Sequence, residues 1–346
     1  YEFYLKDLNP KIVLVEKNSE NPVVDVAKKL KIELCEINPE NDGPSGIFNI
    51  YKKESEYSLP NESDEALVLH TSGTTSRPKI VPLTNKNIFS SAENISKSLN
   101  LSENDHCLNI MPLFHIHGLI AILASSMKAG ASVCASNGFN AIKFLDLAKS
   151  EKITWYSGVP TMHQTILLRA HRNLEIAKGL KLRLIRSSSA SLPPAVFNDL
   201  NDVFSCPVIE AYGMTEATHQ MTSNPLPPKQ QKAGFVGLPA GPEVCIMNEN
   251  GEVLKQGDEG EVCIKGENVT LGYDNNEEAN KTSFTNGWFR TGDQGYFDKE
   301  GYLKISGRLK EIINKGGEKI SPLEVDNVLM DHPFIDQAVC FGYDDK

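Results

Sequence analysis

Paired cysteine spacings are missing from this chain of 346 residues. Its seven cysteines, at 35, 107, 134, 206, 245, 263 and 340, contain no CxxC, which argues against a disulfide framework or a zinc site and points to a reducing compartment. Positive charge is also short: 35 Lys and Arg face 45 Asp and Glu, for a formal net charge of -10. That balance speaks against general nucleic-acid binding and against docking on an anionic membrane. Long hydrophobic runs are absent. The longest, 118–127, ends at Lys128 well short of a span, so membrane insertion is not expected. No basic-then-apolar leader opens the sequence as given, and no internal repeat or low-complexity tract interrupts it. With 40% hydrophobic and 23% charged residues, the chain has material for a buried core and roughly two domains.

What stands out instead is 71–79, TSGTTSRPK, directly after the apolar run ALVLH. Gly73 lets backbone approach a ligand closely, successive N–H groups can form an anion-binding concavity, and Arg77 and Lys79 add charge, so the loop suits polyphosphate. It lacks the GK[ST] ending of a P-loop and is not GxGxxG, and an ordinary Ser/Thr/Gly surface loop has the same composition. A basic island, Lys304, Arg308, Lys310, Lys315 and Lys319 against Glu311 and Glu318, suits a phosphorylated ligand or a solvated face equally.

Up to about residue 212, β-branched runs alternate with amphipathic stretches: KIVLV then PVVDVAKKL, VPL then NKNIFSSAENISKSL, SVCA then AIKFLDLAKS, TWYSGV then TMHQTILLRA. This predicts a layered α/β domain with mostly parallel strands, whose ligands gather beyond the strand carboxyl ends. Three polar loops are placed there: 71–79 after strand 66–70, 187–191 after LRLI, and 212–218 after PVIEA. From about 224, short runs between Gly, Asn and Asp turns predict a β-rich subdomain. After Arg308 the pattern predicts a strand and glycine turn, a helix with Ser321 as N-cap and Pro322 at N1, and a further strand in IDQAVCFGY. The expected divisions are 1–223, 224–308 and 309–346, and both ends of the sequence read as cut.

The loop at 71–79, AYGMTEATH (211–219), GWFRTGD (287–293) and GRLKEIINKGGEKISPLEVD (307–326) occur in this order. Together they resemble the adenylate-forming superfamily, the acyl-CoA synthetases and their relatives, from about Leu67 to the last residue. The resemblance implies layered sheets flanked by helices, a β-rich subdomain and the opening of a small mobile α+β C-terminal domain. It also implies ATP-dependent joining of an acid to AMP and then to CoA, with Mg²⁺ and ATP as cofactors and CoA as second substrate. Attack on the α-phosphorus builds charge that a cation, backbone N–H groups and lysines stabilise.

Carried over residue by residue, Thr71, Ser72, Gly73, Thr74, Thr75, Ser76 and Lys79 resemble the phosphate loop, with Ile80 where the family commonly has glycine. Glu216 resembles the Mg²⁺ carboxylate, Thr215 its neighbouring hydroxyl, and Tyr212 the aromatic packed on adenine, within a nucleotide surround of Ser189, Ala190, Ser191, Glu210, Ala211 and Gly213. A helix-terminal Glu and a core Tyr are the plain structural counterparts. Asp293 resembles the acceptor of both ribose hydroxyls, and Arg308 the arginine reaching ribose or phosphate; a hairpin turn residue and a surface cation are the alternatives. Lys310 matches the hinge, and Lys315, Gly316 and Gly317 the CoA channel, where a plain turn competes. His115 matches a gate of the acyl pocket, while His117 has no comparable counterpart. Glu216 and His219 also form ExxH, found in di-iron sites, but no second copy exists.

Where many acyl- and aryl-CoA synthetases carry a pattern like SGAAPL, this chain has SSSASL at 187–192. Serine at 188 narrows and polarises the pocket floor, which disfavours a long acyl chain. His219 offers a donor or cation to a second carboxylate. With TEATHQMTSNPLPP, these features resemble the oxalate:CoA ligase branch. Serines that cap the helix at 193–204, and a His219 packed internally, remain the alternative. A short-chain or aryl-CoA synthetase, or a nucleotide-binding module without catalysis, also remains open. The family's adenylation lysine is expected beyond 346, the cytosol and peroxisome both fit free cysteines, and monomer and homodimer are not distinguished.

Overall fold

The strands HCLN, WYSG and LIRS are buried along nearly their whole length, so they show no period-two alternation of exposed and buried positions. In the computed structural model, Cys107, Trp155, Leu184 and Ile209 belong to one buried cluster and Leu108, Tyr156, Ile185 and Val208 to another. The structure describes residues 1–39, 47–50, 58–71, 78–315, 318–330, 332, 334–335 and 337–343. Two compact units are present, Tyr1–Leu59 and Pro60–Lys346.

In the first unit, β1 (Ile12–Glu16) runs parallel to β2 (Glu33–Pro39), and β3 (Phe48–Ile50) pairs antiparallel with β2. Helices Glu2–Leu8 and Val23–Lys29 accompany them, the second where PVVDVAKKL predicted one.

The second unit opens with an antiparallel hairpin of β4 (Glu65–His70) and β5 (Ile80–Thr84). Its main sheet contains β6 (His106–Asn109), β7 (Ser132–Ala135), β8 (Trp155–Gly158), β9 (Leu184–Ser187), β10 (Val208–Met214), β11 (His219–Ser223) and β12 (Leu238–Pro239), in the order β12-β11-β10-β9-β8-β6-β7. Pairings from β7 through β10 are parallel, and β11 and β12 add antiparallel. Helices Ala141–Ser150, Pro160–Ala170 and Pro194–Phe204 cover one face through Phe144, Ile166 and Leu200. Helix Asn85–Ser98 and the wide π-type turn His117–Ala124 cover the other through Ile95, Ile120 and Ile122. Thr84 and Asn87 cap helix Asn85–Ser98 reciprocally.

The β-rich part is an antiparallel sheet of β13 (Glu243–Met247), β14 (Gly260–Lys265), β15 (Phe284–Thr285), β16 (Trp288–Phe297) and β17 (Leu303–Arg308). After it come a hairpin, β18 (Ile313–Lys315) and β19 (Glu318–Ile320), and helix Pro322–Met330, where Glu324 N donates to Ser321 Oγ at 3.3 Å as expected of an N-cap. Among the described residues, no helix is long and apolar enough to cross a membrane.

Two expectations differ. The loop 71–79 leaves an antiparallel hairpin rather than a strand of the parallel sheet, because so short a connection cannot make a parallel crossover, which needs about a dozen residues or more. The described part of 335–343 forms no strand; its Cys340 N–H donates to Asp326 Oδ1 at 2.6 Å, and no sheet edge is paired with it.

Candidate functional site

Hydrogen bonds at the base of 71–79 close the loop: Thr71 N donates to Lys79 O at 2.9 Å, and Lys79 N donates to Thr71 Oγ1 at 3.0 Å. The expected phosphate-loop residues Ser72, Gly73, Thr74, Thr75 and Ser76, with Arg77, lie outside the described residues, as do Gly316 and Gly317. Lys79 extends its ammonium over the Tyr273 ring, 4.2 Å from the centroid. Tyr273 in turn donates its phenol to Glu216 Oε1 at 2.7 Å. Burial lowers the Lys79 pKa, Glu216 opposes that shift, and Lys310 lies near enough to reinforce it. Burial likewise raises the Glu216 pKa, opposed by the Tyr273 hydrogen bond and the Lys79 charge and reinforced by Asp293.

Asp293 sits on β16 opposite Arg308 on β17, with Nε to Oδ1 at 3.5 Å. Its other oxygen accepts from the Tyr212 phenol. Burial raises the Asp293 pKa, while Tyr212 and Arg308 oppose the shift. Residues from the hairpin loop, the end of β10 and the edge of the β-rich sheet thus act on one another's charge. Tyr273 escaped the sequence reading because LGYDNN resembles any turn; only the fold places it between Lys79 and Glu216.

Backbone strain marks the ends of β9 and β10. Ser189, Thr218 and His219 adopt φ of 74°, 49° and 94°, left-handed values uncommon for residues other than glycine. Between them, β10 shifts register at Tyr212 and Gly213, and a Cβ on Gly213 would stand 1.9 Å from His219 O. Thr215 and Glu216 form the single turn Thr215–Ala217 after β10.

Of the serine stretch, Ser188 is buried and donates to Ala211 O at 2.8 Å, Ser189 and Ala190 are exposed, and Ser191 is half-buried. No side chain caps the helix that follows, Pro194–Phe204, so helix capping does not account for these serines. Glu210 accepts from Leu192 N at 3.0 Å, and burial pushes its pKa up to about 8. His219 is fully buried, as is His117, and their rings lie 5.0 Å apart. His115 is half-buried and accepts at Nδ1 from His117 N at 3.1 Å. His117, unassigned from sequence, meets Ser189 Oγ at 3.0 Å and Ser157 Oγ at 2.6 Å. Behind both histidines stands Arg186, which the sequence reading also missed; a lone arginine inside a strand, LIRS, was the available clue. Lys315 lies on β18 with its side chain exposed.

A match to the family described as AMP-binding enzyme spans residues 1–274. The chain is 49% identical to an oxalate–CoA ligase of Arabidopsis thaliana over all of its own length and 69% of that protein. Among solved structures, ATP-bound MatB from Rhodopseudomonas palustris superposes with a TM-score of 0.87 at 28% identity, covering 99% of this chain and 67% of that one. O-succinylbenzoate coenzyme A synthetase (MenE) from Bacillus subtilis, in complex with ATP and magnesium ion, superposes with a TM-score of 0.82 at 30% identity, covering 100% and 69%.

Proposed function

This chain belongs to the AMP-binding enzyme family, and on that premise we propose that it activates a small dicarboxylic acid, oxalate, first to an acyl-adenylate and then to an acyl-CoA. The observation that carries the reading is the Lys79, Tyr273 and Glu216 stack, with the charge of Asp293 acting on Glu216, assembled from four separate stretches of chain. Oxalate is favoured by the 49% identity to a protein of that activity and by the polar contact of buried His117 with Ser189.

In the first step a carboxylate oxygen of the acid bonds to the α-phosphorus of ATP, and the bond to the pyrophosphate oxygen breaks. Lys79 places positive charge beside the β- and γ-phosphates. Asp293, held by Tyr212 and Arg308, accepts from the ribose hydroxyls. Glu216 would hold Mg²⁺, since a buried carboxylate suits a hard cation, and there the ion would supply charge stabilisation for the phosphates. In the second step the CoA sulfur bonds to the acyl carbon and AMP leaves. Residues 309–346 are proposed to open the mobile domain, with Lys310 as its hinge and Lys315, Gly316 and Gly317 beside the CoA path. Cytosolic and peroxisomal locations both suit such a reaction.

Pyrophosphate release with oxalate, malonate, acetate and coumarate tests this reading. Oxalate is expected to give the highest kcat/KM and to yield oxalyl-CoA when CoA is added. Strong coumarate turnover without oxalate turnover assigns an aryl substrate instead, and AMP binding with no adenylate from any acid makes the protein a binding module.

A further inference from the structure

Arg186 is fully buried in the middle of the main sheet, and no carboxylate lies within ion-pair distance of it among the described residues. A buried charge without a counter-ion is costly, so its retention calls for an anion or a function. The nearest acid in sequence register, Glu210, follows the Arg186 partner Ile209 by one residue on β10 and therefore faces the other side of the sheet. Arg186 has only neutral partners: Ser157 Oγ at 3.5 Å, Gln220 Oε1 at 3.2 Å and His219 Nδ1 at 3.4 Å.

The guanidinium sets the direction of the bonds it makes itself. Guanidinium N–H groups only donate, so His219 accepts at Nδ1 and carries its proton on Nε2, a buried atom with no partner among the described residues. Ser157 accepts from Arg186, which leaves its own O–H available to His117 Nε2 at 2.6 Å. In that arrangement His117 donates from Nδ1 to Ser189 Oγ at 3.0 Å, and Ser189, at the exposed end of the chain, directs its O–H outward. Two chains of donors therefore start at Arg186 and end at Ser189 O–H and His219 Nε2–H.

We infer that Arg186 is a positioning and specificity residue: acting through Ser157, His117 and His219, it aims two donors at the second carboxylate of the substrate and makes the acyl pocket a receptor for a dianion. This rests on the proposed acid-activating function and adds to it the basis of selection. The titratable groups that face the cluster are His115 and His117 on the loop and π turn, His163 on helix Pro160–Ala170, and His219 beside β10; all are histidines. Burial, and after it the Arg186 charge, holds His117 and His219 well below the ordinary histidine range, which favours their neutral forms.

Steady-state pyrophosphate release by the intact protein tests the inference, comparing oxalate with glyoxylate, which is similar in size but has one carboxylate. Wild-type protein is expected to favour oxalate by about a hundredfold in kcat/KM; use of both within about threefold overturns the inference. Arg186→Met is expected to raise KM for oxalate about a hundredfold while KM for ATP moves less than about twofold. An unchanged oxalate KM, or equal loss for ATP, overturns it. Without the guanidinium, one of the two leading causes that hold the His219 pKa down is gone while burial remains, so the oxalate KM of Arg186→Met is expected to fall as pH is lowered, a recovery that a purely structural arginine would not produce. Arg186→Lys keeps the charge and is expected to retain oxalate preference at neutral pH; its loss alongside normal AMP binding counts against the inference. Should Arg186→Met fail to fold, the wild-type ratio and the lysine variant still decide. Failure of wild-type protein to activate any small dicarboxylate removes the functional reading itself, a result distinct from oxalate selectivity that survives the loss of Arg186.

Discussion

Tyr273 donates its phenolic proton to Glu216 at 2.7 Å while Lys79 rests on the face of the same ring at 4.2 Å from its centroid. One side chain thus orients an acid and a base that are 137 positions apart in sequence. The acid is kept more ionised than burial alone would leave it, and the ammonium is held against the negative face of the ring.

Removing that phenol has a signed consequence. The hydrogen bond opposes the burial that raises the Glu216 pKa, so in Tyr273→Phe the carboxyl titrates higher still. The acidic limb of kcat/KM for ATP is expected to move to higher pH, with a loss of about tenfold at neutral pH, the scale of one hydrogen bond to a charged group. A pH–rate series on both proteins checks this; coincident acidic limbs would count against Glu216 acting in its ionised form.

The burial of Glu210 has a consequence for stability. Its pKa rises from the model-compound value of 4.5 to about 8 in the fold, so the folded protein holds a proton that the unfolded chain has released. Its contribution is fully present below about pH 4.5 and is lost as pH rises through about 8. Glu210→Gln retains a carbonyl for Leu192 N and does not ionise. The Tm difference between Glu210→Gln and wild type is therefore expected to grow in favour of the variant from about pH 5 to 8, and then to level off. Thermal melts across that range decide it; a flat difference would mean that Glu210 ionises normally.

Gly213 permits the close approach of β10 to the His219 backbone, where an added Cβ would lie 1.9 Å from a carbonyl oxygen. Gly213→Ala is expected to cost about 1 to 3 kcal/mol as the strands separate. Because the residue that the added Cβ would meet is the strained His219, AMP and oxalate binding are expected to weaken together. Chemical denaturation and calorimetric AMP binding measure the two effects; a variant as stable and as tight as wild type would show that the strands have room to spare.

Patterns with a short physical range were legible. The helices at 85–98 and 141–150 follow from apolar spacing and caps, and strands 132–135 and 243–247 from β-branched runs between turns. Four family motifs in order singled out Glu216, Asp293, Lys79 and Arg308. The antiparallel exit of loop 71–79 needed a count of connection length against crossover length, and the lack of a strand in the described part of 335–343 needed knowledge of whether a partner edge is near.

Composition and order along the chain by themselves determined the kind of fold and the family, because hydrophobic period and motif spacing are local properties of covalent sequence. Tertiary structure alone decided what surrounds each charge. His117 and Tyr273 carry no local mark and Arg186 only its place inside LIRS, since burial and hydrogen-bond partners depend on neighbours brought in from β8, β11 and the turn before helix Glu277–Ser283. Desolvation grows with everything packed around a group, and only the folded chain supplies that sum.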